Sequence, residues 1–163
     1  MVYFVGAGPG AADLITVRGM RLLEKADVVI YAGSLVNPEL LSYCKKECEI
    51  HNSAYMTLEE VLAVMQEAEK QKLTTVRLHT GEPSIYGAVR EQMDLLDEKG
   101  ILYESCPGVS ACFGAAALLN LVYTLPEVSQ SFLYLNRLPW KHDVLQNSQC
   151  SLFPVLWFCL PCG

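Results

Sequence analysis

Short apolar runs alternate along this chain with stretches whose apolar residues recur three or four positions apart. Val2–Val5, Val28–Tyr31, Val76–His79 and Ile101–Glu104 are runs of four between polar segments, a pattern suited to buried strands of a parallel sheet. Leu14, Val17, Arg21 and Lys25 share helical spacing, with Asp13 as the expected N-cap. Thr57-Leu58-Glu59-Glu60 has the T-x-x-E spacing of a capping box, and Val61, Met65 and Ala68 continue one face of the helix it opens. Ile85 to Lys99 reads as a further helix closed by Gly100 at C′. Strand and helix alternate, so the expected fold is α/β, with a mainly parallel sheet and flanking helices.

In such sheets ligands bind beyond the carboxyl ends of the strands. Three glycine-bearing loops fall there: "GAGPGAAD", "HTGEPSIYGA" and "CPGVSA". Together they outline one expected cleft. Gly6, Gly8 and Ala11 fit G-x-G-x-x-A, but a dinucleotide site also needs an acid at the end of the second strand, where this chain has Ile30-Tyr31-Ala32-Gly33-Ser34. Pro9 also lacks the N–H that a pyrophosphate would use. A tight strand-to-helix turn accounts for the same glycines.

Composition changes the picture in two places. A chain of 163 residues with 52% hydrophobic and 18% charged residues packs as an ordinary globular domain. Its net charge of −6, with no basic run longer than Lys45-Lys46, argues against a nucleic-acid partner. No charged n-region precedes the first apolar run, and no unbroken apolar stretch in the first 130 residues is long enough to span a bilayer. No membrane partner is expected, and a cytoplasmic location is. Seven scattered cysteines, an odd count, suggest reduced thiols. Cys44 and Cys48 supply only half of a zinc site and read as small buried side chains; no metal is expected. His79, at a strand end, reads as structural rather than catalytic.

The segments "VGAGPGAADLIT", "TGEPSIYGA" and "PGVSACFGAAA" stand in an order that resembles the tetrapyrrole (corrin/porphyrin) methyltransferase family. "YAGSLVNPELL" and "LVYTLPEVSQS" resemble the branch that methylates C11 of precorrin-4 or cobalt-precorrin-4 in cobalamin biosynthesis. The resemblance implies S-adenosylmethionine as cofactor, held in a cleft between two α/β domains, and a tetrapyrrole substrate. At matching positions it implies Pro9, Thr80, Gly81, Glu82, Ile85, Ser110 and Ala111 as cofactor-binding residues. Glu82 stands where the family usually has Asp. Arg18 and Tyr86 are candidates for the substrate. Tyr86 equally suits packing; Arg77 and Arg90 join Arg18 as candidate partners for the substrate's carboxylates, and all three equally suit ion pairs. The cofactor carries its own leaving group, so no nucleophilic side chain or metal is called for, and orientation does much of the work. Two further classes stay open: a non-catalytic binding remnant and a nucleotide-dependent oxidoreductase.

After Ser131 the resemblance stops. Residues 131–163 hold three charged residues, Arg137, Lys141 and Asp143, against 27 in residues 1–130. The expected organisation is an α/β domain over residues 1–118, then a connection and atypical tail over 119–163 in place of a second domain. Little turnover is expected of this chain alone, and an uncovered apolar face would favour a homodimer. "CLPC" at Cys159–Cys162 lacks the βαβ setting of a redox motif.

Overall fold

The computed structural model describes residues 1–85, 89–127 and 130–132. The chain divides into two compact units, Met1–Ala117 and Leu118–Gly163. In the second, the described residues include Tyr123 and Phe132, whose rings stack at a tilt with centroids 4.7 Å apart. The tail with its "CLPC" segment lies outside the described residues.

The first unit is an α/β sandwich. Its strands are β1 (Val2–Gly6), β2 (Val28–Tyr31), β3 (Glu49–Asn52), β4 (Thr75–His79) and β5 (Tyr103–Cys106). Its helices are α1 (Val17–Lys25), α2 (Leu58–Lys70), α3 (Arg90–Glu98) and all but the last two residues of α4 (Ala111–Leu119). All strands pair in parallel, in the order β3-β2-β4-β1-β5. One face packs α2 and α3 on the sheet, with Phe4, Ile30, Val61, Met65 and Leu96 buried together. The other face packs α1 and a 3-10 segment, Pro38–Tyr43, around Val5, Leu23, Val29, Leu40 and Leu78.

The neighbouring strands β1 and β4 lead away in opposite directions, β1 through α1 to β2 and β4 through α3 to β5. Their carboxyl ends therefore form a topological switch point, and the connections that leave them run to helices on opposite faces of the sheet.

Several expectations shift when the chain folds. α2 carries its capping box, with Glu60 N–H donating to Thr57 Oγ1 at 3.3 Å and Thr57 N–H to Glu60 Oε2 at 2.7 Å. Val61, Met65 and Ala68 are buried as expected. The first helix, in contrast, is capped by Thr16, whose side chain accepts from Gly19 N–H at 3.1 Å, and not by Asp13, which lies in a preceding 3-10 turn. Its expected face is wrong too. Leu14 and Val17 are exposed, and Gly19 and Leu23 are buried. The pattern Leu14, Val17, Arg21, Lys25 included two cations and therefore traced the solvent side.

The third helix begins at Arg90, not Ile85: residues 83–85 form a turn in which Ile85 N–H donates to Glu82 O at 3.0 Å. Gly100 does sit at the helix end, with φ +65°. That helix end also moves β5 two residues along. Ile101 N–H donates back to Leu96 O at 3.0 Å and its side chain joins the core, so it serves the helix terminus and not the strand. β3 was not expected: "EIHN" has no apolar run, because this edge strand pairs only with β2 and its first two residues are exposed.

Candidate functional site

The site is built from main chain. After β1 the chain passes Gly6, Ala7 and Gly8; after β4 it passes Thr80 and Gly81; after β5 it passes Pro107, Gly108 and Val109. Gly8 and Gly81 form an antiparallel bridge, with Gly81 N–H donating to Gly8 O at 2.9 Å and Gly8 N–H to Gly81 O at 3.3 Å. Ala7 N–H donates to His79 O at 2.7 Å. Gly108 closes on both. A Cβ there would lie 2.1 Å from Gly81 O and 2.7 Å from Gly6 Cα. The three glycine loops thus meet at one edge of the sheet, as the sequence pattern predicts, and at the switch point.

This explains why the glycines are needed. Gly6 and Gly108 have no space for a side chain, because each faces the backbone of the other at under 3 Å from where a Cβ would sit. Gly8 and Gly81 have positive φ, +80° and +59°, which side chains disfavour. Gly114, within α4, meets a third need: a Cβ there would be 2.7 Å from the ring of Pro9. A helix-interior glycine costs about 1 kcal/mol relative to alanine, and that cost is the sequence signal that it marks a close approach.

The same bonds count against a dinucleotide loop. The N–H groups of Ala7 and Gly8 are engaged by His79 O and Gly81 O. α1 begins only at Val17, beyond a 3-10 turn, so its N-terminus does not directly follow the glycines as pyrophosphate binding requires.

Among the expected cofactor residues, Gly81 and Ser110 are buried, Pro9, Glu82 and Ile85 are half-buried, and Thr80 and Ala111 are exposed. All belong to the three loops or the first residue of α4. A Cβ on Gly81 would come 3.6 Å from Ala111 N and 3.8 Å from Ser110 Cα, which sets the second and third loops side by side. Thr80 Oγ1 donates to Leu35 O at 3.3 Å and ties its loop to the turn after β2. Ser110 O accepts from Phe113 and Gly114 N–H, both at 3.0 Å, and so begins α4.

Glu82 bridges two loops. Its Oε1 accepts from Ser84 N–H at 2.9 Å and its Oε2 from Gly108 N–H at 2.8 Å. Burial works to raise its pKa, but the N–H donors of Ser84 and Gly108 and the Ser84 side chain outweigh it and hold the carboxyl below its ordinary value.

The expected substrate residues are not gathered in the same way. Arg18 is exposed at the start of α1 and faces Glu104 at 3.7 Å. Arg90 pairs with Asp94 one helical turn on. Arg77 is buried: Nε donates to Gln92 Oε1 and Nη1 to Ile30 O, each at 3.2 Å, and burial pushes its pKa down to about 10. That is a structural role. Tyr86 lies outside the described residues.

His79 is 6% exposed and stacks near Phe4, with centroids 6.2 Å apart. Burial, then the charge of Arg77, push its pKa down to about 3, so it is neutral and fits the structural reading. Cys44 and Cys48 are partly buried free thiols, and burial above all pushes Cys48 up to about 12, the opposite of a reactive cysteine. Among the described residues no three metal-binding side chains cluster, and no helix is long and apolar enough to cross a membrane.

Asn37 was not singled out from the sequence. Its Nδ2 donates to Gly10 O at 2.8 Å while its Oδ1 accepts from Glu39 N–H at 2.9 Å, so one side chain caps the 3-10 segment and secures the first loop. The Asn-Pro pair is the signal that could have found it.

Residues 1–155 match the family described as Tetrapyrrole (Corrin/Porphyrin) Methylases. The chain belongs to this family. A cobalt-precorrin-4 C(11)-methyltransferase of Methanocaldococcus jannaschii is 57% identical over 132 residues, 81% of this chain and 51% of that protein. A precorrin-4 C(11)-methyltransferase of Sinorhizobium is 45% identical over 91% of this chain and 58% of that protein. Among solved structures, a cobalt precorrin-4 methyltransferase described as a cobalamin biosynthetic enzyme superposes with TM-score 0.78 at 45% identity, covering 80% of this chain and 54% of its own. A uroporphyrin-III C-methyl transferase of Thermus thermophilus, solved with S-adenosyl homocysteine, superposes with TM-score 0.66 at 30% identity, over 80% of this chain and 52% of its own. This family member spans about half the length of the curated relatives it matches.

Proposed function

We propose that the three-loop edge binds S-adenosylmethionine and that the chain contributes this site to methyl transfer onto C11 of precorrin-4 or cobalt-precorrin-4. The observation that carries the reading is the convergence of Gly6, Gly8, Gly81 and Gly108 in direct main-chain contact at the switch point. The relatives named for this reaction and the related structure holding S-adenosyl homocysteine support it. The residues assigned to the cofactor are Pro9, Thr80, Gly81, Ile85, Ser110 and Ala111, with Glu82 beside them. Arg18 and Tyr86 are assigned to the substrate's carboxylates and ring. The reading includes a cytoplasmic location and self-association of the chain, which sedimentation tests.

When bound, S-adenosylmethionine supplies an activated methyl group on a sulfonium that leaves as a neutral thioether. What this chain does is orient: a packed main-chain frame fixes the methyl group in line with a ring carbon, and misplacement by about 1 Å can cost a hundredfold in rate.

Calorimetry with S-adenosylhomocysteine and with NAD tests the assignment. Binding of the first and not the second is expected, and a Gly81→Val chain, its fold checked by circular dichroism, is expected to bind at least about tenfold more weakly, since a β-branched residue is disfavoured at positive φ. Binding of NAD alone would sink the proposal. A second reading is binding of the cofactor without turnover. Transfer of a labelled methyl group to the tetrapyrrole separates the two.

A further inference from the structure

We propose that Glu82 is a positioning residue whose carboxylate clamps the loop after β5 onto the loop after β4, setting the spacing of the frame that receives the cofactor. The inference rests on the cofactor reading above and assigns Glu82 a role distinct from touching the ligand. Both carboxylate oxygens are already engaged by main-chain donors, one on each loop: Ser84 N–H at 2.9 Å and Gly108 N–H at 2.8 Å. Gly108 belongs to no helix or strand. Its N–H therefore has no regular ladder to join, and Glu82 meets that need.

The clamp works against a tight fit. Gly108 is pressed so closely on Gly6 and Gly81 that a Cβ would fall 2.1 Å from Gly81 O. Main-chain surfaces at this distance have no side chains to interlock, so they need a separate bond to keep them in register. A carboxylate suits the place because it accepts at both oxygens, whereas an amide would turn a donor toward one of the two N–H groups. Hydrogen bonds to an ionised acceptor are also the stronger kind. Through Gly108 the bond reaches Ser110 and Ala111 two and three residues on, and these lie against Gly81.

Two measurements on the whole chain test this. Amide hydrogen exchange by NMR reads the Gly108 N–H without ligand, and calorimetry reads S-adenosylhomocysteine affinity. In the unaltered chain Gly108 is expected to be protected. Glu82→Gln is expected to speed its exchange and weaken binding about tenfold or more, the loss of one charge-assisted hydrogen bond. Glu82→Asp keeps both acceptors and is expected to hold affinity within about threefold. Gly108 exchanging at an unprotected rate in the unaltered chain overturns the clamp with no variant needed, so a Gln chain that fails to fold does not shield the proposal. Protection unchanged by Glu82→Gln, with S-adenosylhomocysteine still bound, also overturns it while the cofactor reading stands. A protected Gly108 in a chain that binds no S-adenosylhomocysteine overturns the cofactor reading, and the positioning role falls with it.

Discussion

At the amino edge of the sheet, side chains hold the elements together. Asp27 Oδ1 accepts from Lys45 Nζ and Oδ2 from Thr74 N–H, both at 2.9 Å, and the Met1 ammonium pairs with Glu69. At the carboxyl edge, backbone meets backbone: Gly8 bridges Gly81, and Gly108 lies against both Gly6 and Gly81. The carboxyl edge has side-chain ties too, Glu82 to Gly108 and Thr80 to Leu35, and adds to them a close main-chain contact. Side-chain ties can be trimmed one at a time, each at modest cost, because solvent replaces what is lost. Main-chain contact as close as that at Gly6 and Gly108 has no tolerance for an added methyl group. The edge proposed to bind the cofactor is thus the one least able to accept substitution.

The sharpest test of that contrast adds a single carbon. Gly108→Ala is expected to destabilise the chain by about 3 kcal/mol, at the upper end for overpacking, since backbone and not a flexible side chain stands in the way. Gly100→Ala is the control. Gly100 has φ +65° with nothing within 4 Å of a Cβ, so only conformational strain of about 1 kcal/mol is expected. Denaturant midpoints that fall equally in both would break the comparison.

His79 extends the test to pH. Its pKa is held near 3 against an ordinary 6.5, so the folded chain refuses a proton that the unfolded chain accepts between those values. Its share of stability is complete above pH 6.5 and is lost as the pH falls toward 3, at up to about 1.4 kcal/mol per pH unit. Between pH 7 and pH 5 the loss is about 2 kcal/mol, and His79→Gln is expected to remove that part of the slope. Parallel urea midpoints for the two chains across this range would show that His79 is not buried neutral.

The amino edge should respond more gently. Asp27→Ala removes the bonds to Lys45 and Thr74 and is expected to cost about 1 kcal/mol, because the pair is partly exposed and solvent offsets much of the loss. The Asp27 carboxyl is held below its ordinary value chiefly by the hydrogen bond from Lys45, helped by Thr74 N–H. This contribution is therefore present above the ordinary carboxyl range and is lost as pH falls through the lowered value. A loss as large as that of Gly108→Ala would erase the distinction between the edges.

What the sequence reveals follows the same division. Buried strands flanked by glycine loops are legible because two-sided burial demands an apolar run and backbone contact demands glycine; β2 is read to the residue. The edge strand β3 is hidden because one partner strand asks little of its side chains. The cap at Thr16 is missed because Asp13, three residues earlier, is an equally good capping type, and the choice depends on the 3-10 turn between them. The convergence of the three loops is readable from strand alternation. That Glu82 reaches Gly108 is not, since 26 residues separate them and only the placement of β5 beside β1 brings them together.

Arg18 should show the smallest effect on stability and the most direct bearing on substrate. Its side chain is 67% exposed and its contact with Glu104 is long, 3.7 Å, so the pair is screened by water. Arg18→Ala is expected to shift stability by less than about 0.5 kcal/mol, measured by urea unfolding. The proposed function has this arginine exchange its weak contact with Glu104 for a carboxylate of a tetrapyrrole, a partner that a guanidinium suits. Uroporphyrin, which carries eight carboxylates, serves as the probe: fluorescence quenching is expected to show weaker binding to Arg18→Ala than to the unaltered chain, with Arg90→Ala, whose cation is committed to Asp94, unchanged. Equal affinity in all three chains would remove Arg18 from the substrate side. Weakening by both variants would mean that the porphyrin senses only the overall charge.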